Sequence, residues 1–157
     1  MTHTPTSQPL SFRTERRVEF CETDAAGIVH FSSLLLYMEQ AEHAFLRSLG
    51  LRVIDQPADP AYPDRQRISW PRVRVEADFA GVARFEEVLS IDVGLQRLGG
   101  KSISYRFQLS VEGRPVASGS ITAACCTVGP GNVLKAVPIP EFIRRRLSPY
   151  LQAAQDG

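Results

Sequence analysis
From Phe31 to Leu49 the apolar positions Leu34, Met38, Ala41, Phe45 and Leu49 recur at steps of three and four, the spacing of one helix face. Leu35, Leu36 and Leu46 widen the stripe, so most of the circumference is expected to be covered. Ser32 or Ser33 is the expected N-cap, and Gly50 followed by Leu51 reads as a left-handed C-cap with its hydrophobic contact. Elsewhere the period is two. Val73, Val75, Ala77 and Phe79 alternate with Arg72, Arg74, Glu76 and Asp78, and Leu89, Ile91, Val93 and Leu95 do the same. Gly99-Gly100 leads into Ile103 to Val111, and Glu112-Gly113-Arg114-Pro115 leads into a small-residue strand from Val116 to Val128. Long strands joined by tight turns predict an antiparallel meander. A further strand is expected around Phe12 to Phe20, an irregular loop from Arg52 to Arg67, and a short C-terminal helix from Pro140 to Ala153 broken near Pro149. The order strand, helix, four strands is an α+β layer architecture of about five antiparallel strands, long enough to curl around one long central helix.

Composition narrows the picture without deciding it. The 157 residues are 43% hydrophobic with a net charge of +1, which fits a folded domain and disfavours a dedicated nucleic-acid binder. No apolar run approaches the roughly 18 residues of a membrane span. Residues 1–11 are expected to be a flexible tail and residues 12–153 a single domain. Three cysteines, an odd number, point to a reducing, cytoplasmic location rather than a disulfide framework. Cys21 is expected to be small and buried, and Trp70, Tyr62 and Phe79 to form core or pocket wall. The charge is uneven: residues 1–60 carry five basic and eight acidic side chains, whereas residues 61–157 carry thirteen and nine.

Candidate chemistry lies just before the helix, in Glu22-Thr23-Asp24-Ala25-Ala26-Gly27-Ile28-Val29-His30-Phe31. Asp24 is a carboxylate close to a helix start, where free N–H groups and a partial positive charge gather. An aspartate there is also an ordinary turn residue. Neither the cysteines nor the histidines have metal-ligand spacing, so no metal is expected.

This segment resembles the signature of the 4-hydroxybenzoyl-CoA thioesterase family, hot-dog-fold acyl-CoA thioesterases. The resemblance runs through Glu39, Phe85-Glu86-Glu87-Val88-Leu89, Lys101-Ser102 and Ile139-Pro140, covering residues 14 to 147. It implies hydrolysis of an acyl- or aryl-CoA thioester, with Asp24 as nucleophile or general base and the Phe31 backbone N–H polarising the carbonyl. It further implies that Gly27 lets the backbone approach the ligand and that Lys101, Ser102 and Lys135 meet coenzyme A; His30 either lines the acyl pocket or is a structural imidazole, and Glu39 lies either near the acyl end or on a polar helix face. No cofactor is implied beyond coenzyme A as part of the substrate, no nucleic-acid or membrane partner, and a homodimer or homotetramer is expected. A hot-dog hydratase or dehydratase and a non-catalytic acyl-CoA binding module remain open. Glu39 and His43, four apart on the helix, form a possible local pair. Arg97 and the Arg144-Arg145-Arg146 run are further candidates for the phosphates, the run reading otherwise as a solvated helix face.

Overall fold
The computed structural model describes residues 9–152. Its main sheet has five antiparallel strands in the order β1-β5-β6-β7-β4, formed by Phe12–Arg17, Val88–Leu98, Ser102–Val111, Arg114–Ala124 and Arg72–Phe79. Only β5, β6 and β7 make the expected meander. β4 pairs with β7 on one edge, and β1 pairs with β5 on the other. The reason is the connection of residues 80–87, which is too long for a hairpin turn. Eight residues reach about 26 Å, and the three strand spacings between β4 and β5 need only about 14 Å.

The strand expected from Val116 to Val128 breaks at Cys125, whose N–H donates to Lys101 O at 2.7 Å instead of continuing the ladder. Beyond the break, β8 (Cys126–Val128) joins a small second sheet in the order β2-β3-β8-β9. β2 (Gln56–Pro57) lies inside the segment expected to be irregular and β3 (Arg67–Ser69) starts at its end, while β9 (Leu134–Ala136) returns beside β8.

Helix α1 spans Phe31–Ser48, ends before Gly50 with its φ of 68°, and buries Leu34, Met38, Ala41, Phe45 and Leu46. Leu36 stays exposed, so the apolar stripe is narrower than expected. The close approach of α1 to the sheet depends on a missing side chain. A Cβ on Gly119 of β7 would lie 2.8 Å from Met38 Sδ and 2.6 Å from Glu76 O.

The sheet is not covered by one long central helix alone: the expected short C-terminal helix forms as α2 (Glu141–Leu147), followed by a 3-10 turn at Ser148–Tyr150 where the break at Pro149 is expected. The physical reason is cover. Eighteen helical residues span about 27 Å, less than the roughly 36 Å of the eleven-residue strands. Ile143 and Leu147 of α2 therefore complete the core. Leu10 N donates to Pro149 O and Gln152 N to Leu95 O, so both ends of the described chain are tied to this corner. The expected tail lies outside the described residues up to residue 8. The apolar face of β4 also differs from expectation. Val73, Val75 and Phe79 are exposed because β4 is an edge strand beyond the cover of α1. Tyr62 is exposed as well, with Arg65 over its ring, whereas Trp70 packs against the core.

Candidate active site
The chain leaves β1, is pinned where Val18 N donates to Glu87 O, makes a 3-10 turn at Phe20–Glu22, and then folds back on itself. In this second turn Asp24 N donates to Ile28 O at 2.8 Å and Gly27 N to Asp24 O at 3.0 Å, while the Ala26 N–H donates to Asp24 Oδ1 at 2.8 Å. The last bond is an Asx turn, so the bland role of Asp24 is real. It engages one carboxylate oxygen and fixes the side chain's direction. Gly27 has a φ of 74°, and a Cβ there would meet nothing within 4 Å. Its requirement is therefore conformational rather than spatial.

The turn runs directly into α1. His30 is the N-cap in place of the expected Ser32 or Ser33. Its Nδ1 accepts from Ser32 N at 3.3 Å and lies 2.7 Å from Ser32 Oγ, and its carbonyl accepts from Ser33 N at 2.9 Å. Those bonds take the N–H groups of Ser32 and Ser33, and Phe31 keeps one of the free donors of the first turn. The His30 and Phe31 rings lie 4.5 Å apart, and Phe31 is exposed. Asp24, Gly27, His30 and Phe31 are thus brought together at one loop–helix junction. A second aromatic pair, Phe20 and Phe85 with centroids 5.7 Å apart, flanks it from two loops. Ala83 O accepts from Val29 N, and Ile28 bridges to Arg84.

Glu39 sits two turns along α1, away from this junction. It does not pair with His43; Arg72 lies between them, 3.8 Å from Glu39 Oε1 and 3.4 Å from His43 Nε2. The same guanidinium donates to Glu42 Oε2 at 2.9 Å. Glu42 is buried, its Oε1 has no partner among the described residues, and burial pushes its carboxyl up to about 7 against the pull of Arg72. Burial also holds the His43 imidazole below its ordinary value. A cleft of about 260 Å³ opens here between Glu39, Glu42, His43, Trp70 and Arg72. A larger concavity, about 1410 Å³, is an open polar groove on the sheet lined by Arg74, Arg97 and Arg106; of the residues considered for coenzyme A it takes in Arg97, and it touches neither the Asp24–Phe31 junction nor Glu39, Lys101, Ser102 or Lys135.

Lys101 lies in the turn between β5 and β6, Ser102 opens β6, and Lys135 lies on β9. The Ile139 N–H donates to Gly100 O, so the Lys101 turn and Ile139-Pro140 do meet. The arginine run is not a free phosphate cluster. Arg144 donates to Gly99 O at 2.7 Å, Arg145 pairs with Glu141, and Arg146 donates to the carbonyls of Leu49 and Gly50 beyond the C-terminus of α1. Cys21 is exposed rather than buried, being on the outside of the 3-10 turn.

Two polar clusters have partners that the sequence reading does not name. One is Glu22 with Arg16 and Tyr37; the other is Glu42 with Arg72. Glu42 did carry a signal, since it follows Ala41 directly and lies four residues after Met38, on the buried side of the helix. Glu22 is read from the sequence only as a solvated neighbour of Asp24 or a group supporting it, because its partners come from β1 and from the second turn of α1.

The sheet and the helix laid across it are those of the hot-dog fold, and the relatives of this chain are thioester hydrolases. Residues 18–147 match the profile of the thioesterase-like superfamily, and the chain belongs to that family. It is 27% identical over 145 residues to a 1,4-dihydroxy-2-naphthoyl-CoA hydrolase of Synechococcus elongatus, covering 92% of this chain and 98% of the relative. Among solved structures, BH1999 gentisyl-coenzyme A thioesterase aligns with a TM-score of 0.70 at 27% identity, over 87% of this chain and 99% of that one. The Dynemicin thioesterase aligns with a TM-score of 0.75 at 27% identity, over 92% and 99%.

Proposed function
We propose that this protein hydrolyses a hydroxylated aryl-CoA thioester to the free acid and coenzyme A. The observation that carries the reading is the Asp24 turn, closed by three hydrogen bonds and continuous with the free N–H of Phe31. In the proposed reaction Phe31 N–H donates to the thioester carbonyl oxygen as negative charge develops there. An Asp24 oxygen either attacks the carbonyl carbon or takes a proton from the attacking water. The C–S bond breaks, and the thiolate of coenzyme A leaves and is protonated by solvent. In the nucleophilic variant a second step cleaves the acyl-aspartyl anhydride with water. The substrate class is carried over from relatives named for dihydroxynaphthoyl- and gentisyl-CoA. His30 and Glu39 are assigned to the acyl end, and Lys101, Ser102 and Lys135 to the phosphates of coenzyme A. No cofactor enters this scheme, and a cytoplasmic location is part of it, supported by the free cysteines.

Self-association belongs to the same proposal. β4 offers an open edge with Val73, Val75 and Phe79 exposed, which supports a homodimer, or a homotetramer built from it. The test of the activity is a free-thiol assay across benzoyl-, gentisyl-, 1,4-dihydroxy-2-naphthoyl- and short aliphatic CoA thioesters. The expected result is turnover concentrated on the hydroxyaryl members and lost, by a hundredfold or more, in Asp24→Asn with its circular dichroism unchanged. Wild-type turnover in Asp24→Asn would remove Asp24 from the mechanism.

A further inference from the structure
Glu22 gathers five hydrogen bonds from three parts of the fold. Its side chain accepts from Arg16 Nη2 of β1 at 2.7 Å, from Glu19 N at 2.8 Å and from the Tyr37 hydroxyl of α1. Its carbonyl accepts from His30 N at 2.9 Å and Ser33 Oγ at 3.2 Å. The side chain is only 17% exposed, and the Arg16 guanidinium lies 5.5 Å from the Tyr37 ring centroid. Burial alone would raise the Glu22 carboxyl, but the bonds from Tyr37, Glu19 N and Arg16 bring it below its ordinary value. The group is therefore a carboxylate with both oxygens in use. It is committed inward rather than to a ligand.

Its place in the chain gives that commitment a consequence. Glu22 stands two residues before Asp24, and its carbonyl holds the backbone of His30, the residue that caps α1. The Asp24 turn leaves and returns between these two points. The relative position of the carboxylate and the first-turn donor is set by how firmly residue 22 is tied to residues 30, 33 and 37. Resting on the reading of Asp24 given above, we propose that Glu22 is a positioning residue for thioester hydrolysis, locking the Asp24 turn and the N-terminus of α1 into one rigid frame. The frame explains why a carboxylate is used. Glutamine offers one acceptor oxygen where two are occupied, so Arg16 or the Glu19 N–H loses its partner. Aspartate is one methylene too short to reach both the β1 side and Tyr37.

The experiment compares Glu22→Gln, Tyr37→Phe and Asp24→Asn with wild type, using the CoA thioester of the panel that wild type hydrolyses best. Folded fraction is read by thermal melt, and kcat and KM are reported per folded enzyme. A misplacement of about 1 Å in a catalytic group costs on the order of a hundredfold in rate. The expected result is a fall in kcat of at least tenfold in Glu22→Gln, a smaller fall in Tyr37→Phe, and KM within threefold in both. Glu22→Asp is expected to give no rescue. A structural role alone would lower the folded fraction and leave kcat per folded enzyme intact. Should Glu22→Gln fail to fold, Tyr37→Phe alone decides, since it removes only one of the donors. Retained kcat in the folded variant with loss in Asp24→Asn overturns this proposal and leaves the catalytic reading standing. Full turnover in Asp24→Asn overturns both.

Discussion

At the scale of single residues, two inward-facing carboxylates, half-buried Glu22 and buried Glu42, behave in opposite ways. Glu22 has both oxygens engaged and sits below its ordinary value; Glu42 has one engaged and is pushed up to about 7. Glu42 in the unfolded chain titrates near 4.3. Because its folded value is higher, the folded state binds the extra proton. Its contribution is most favourable below the unfolded value and is lost as pH rises towards 7. A displacement of that size corresponds to about 3 kcal/mol. In Glu42→Gln that pH dependence is absent. Denaturant melts at pH 4.5 and pH 8 should therefore show the variant gaining on wild type by about that amount at the higher pH. A difference that stays constant across the range would remove Glu42 as the titrating group.

At the scale of elements, what was legible from the sequence followed the period of the side chains. The helix from Phe31, its glycine stop at Gly50 and the long strands β5 and β6 appear where the spacing put them. Spacing says which side chains share a face, but not whether anything covers that face. Val73 and Val75 of β4 and Leu36 of α1 were misjudged for that reason. At the cap a histidine ring nitrogen takes the place expected of the serine hydroxyl two or three residues on. Of the candidate site, the Asp24–Phe31 junction was legible because it is contiguous. The partners of Glu22 and Glu42 were not, since Arg16, Tyr37 and Arg72 reach them through the tertiary fold. The contact between α1 and β7 gives a prediction at this scale. Gly119→Ala forces a methyl group against Met38 and the Glu76 carbonyl, and should cost about 1–3 kcal/mol in unfolding free energy. An unchanged melting temperature would mean that helix and sheet separate there at little cost.

At the scale of the whole molecule, the open edge of β4 has a charge pattern suited to meeting itself. About a two-fold axis at Val75, antiparallel pairing sets Arg74 of one copy opposite Glu76 of the other, and Glu76 opposite Arg74. Within one chain these two side chains already pair with each other, so their exchange across an axis conserves charge. For the proposed dimer, sedimentation of Glu76→Arg is expected to show a dissociation constant raised at least tenfold, with Arg74→Glu/Glu76→Arg restoring it; a wild-type chain that sediments as a monomer would remove the dimer. Equal self-association in the single and double variants would move the interface elsewhere.

The strand order also carries a schedule. β1 waits for β5, more than seventy residues downstream, and β4 waits for β7, about forty residues on. A nascent chain that has produced α1 therefore has almost none of the surface that will later receive Met38 and Phe45. It must hold an amphipathic helix and two unmated strands until the β5–β6–β7 hairpins emerge. Those hairpins are the local, self-sufficient part of the fold. They act as the template on which the earlier half of the chain, including the Asp24 turn, is assembled last.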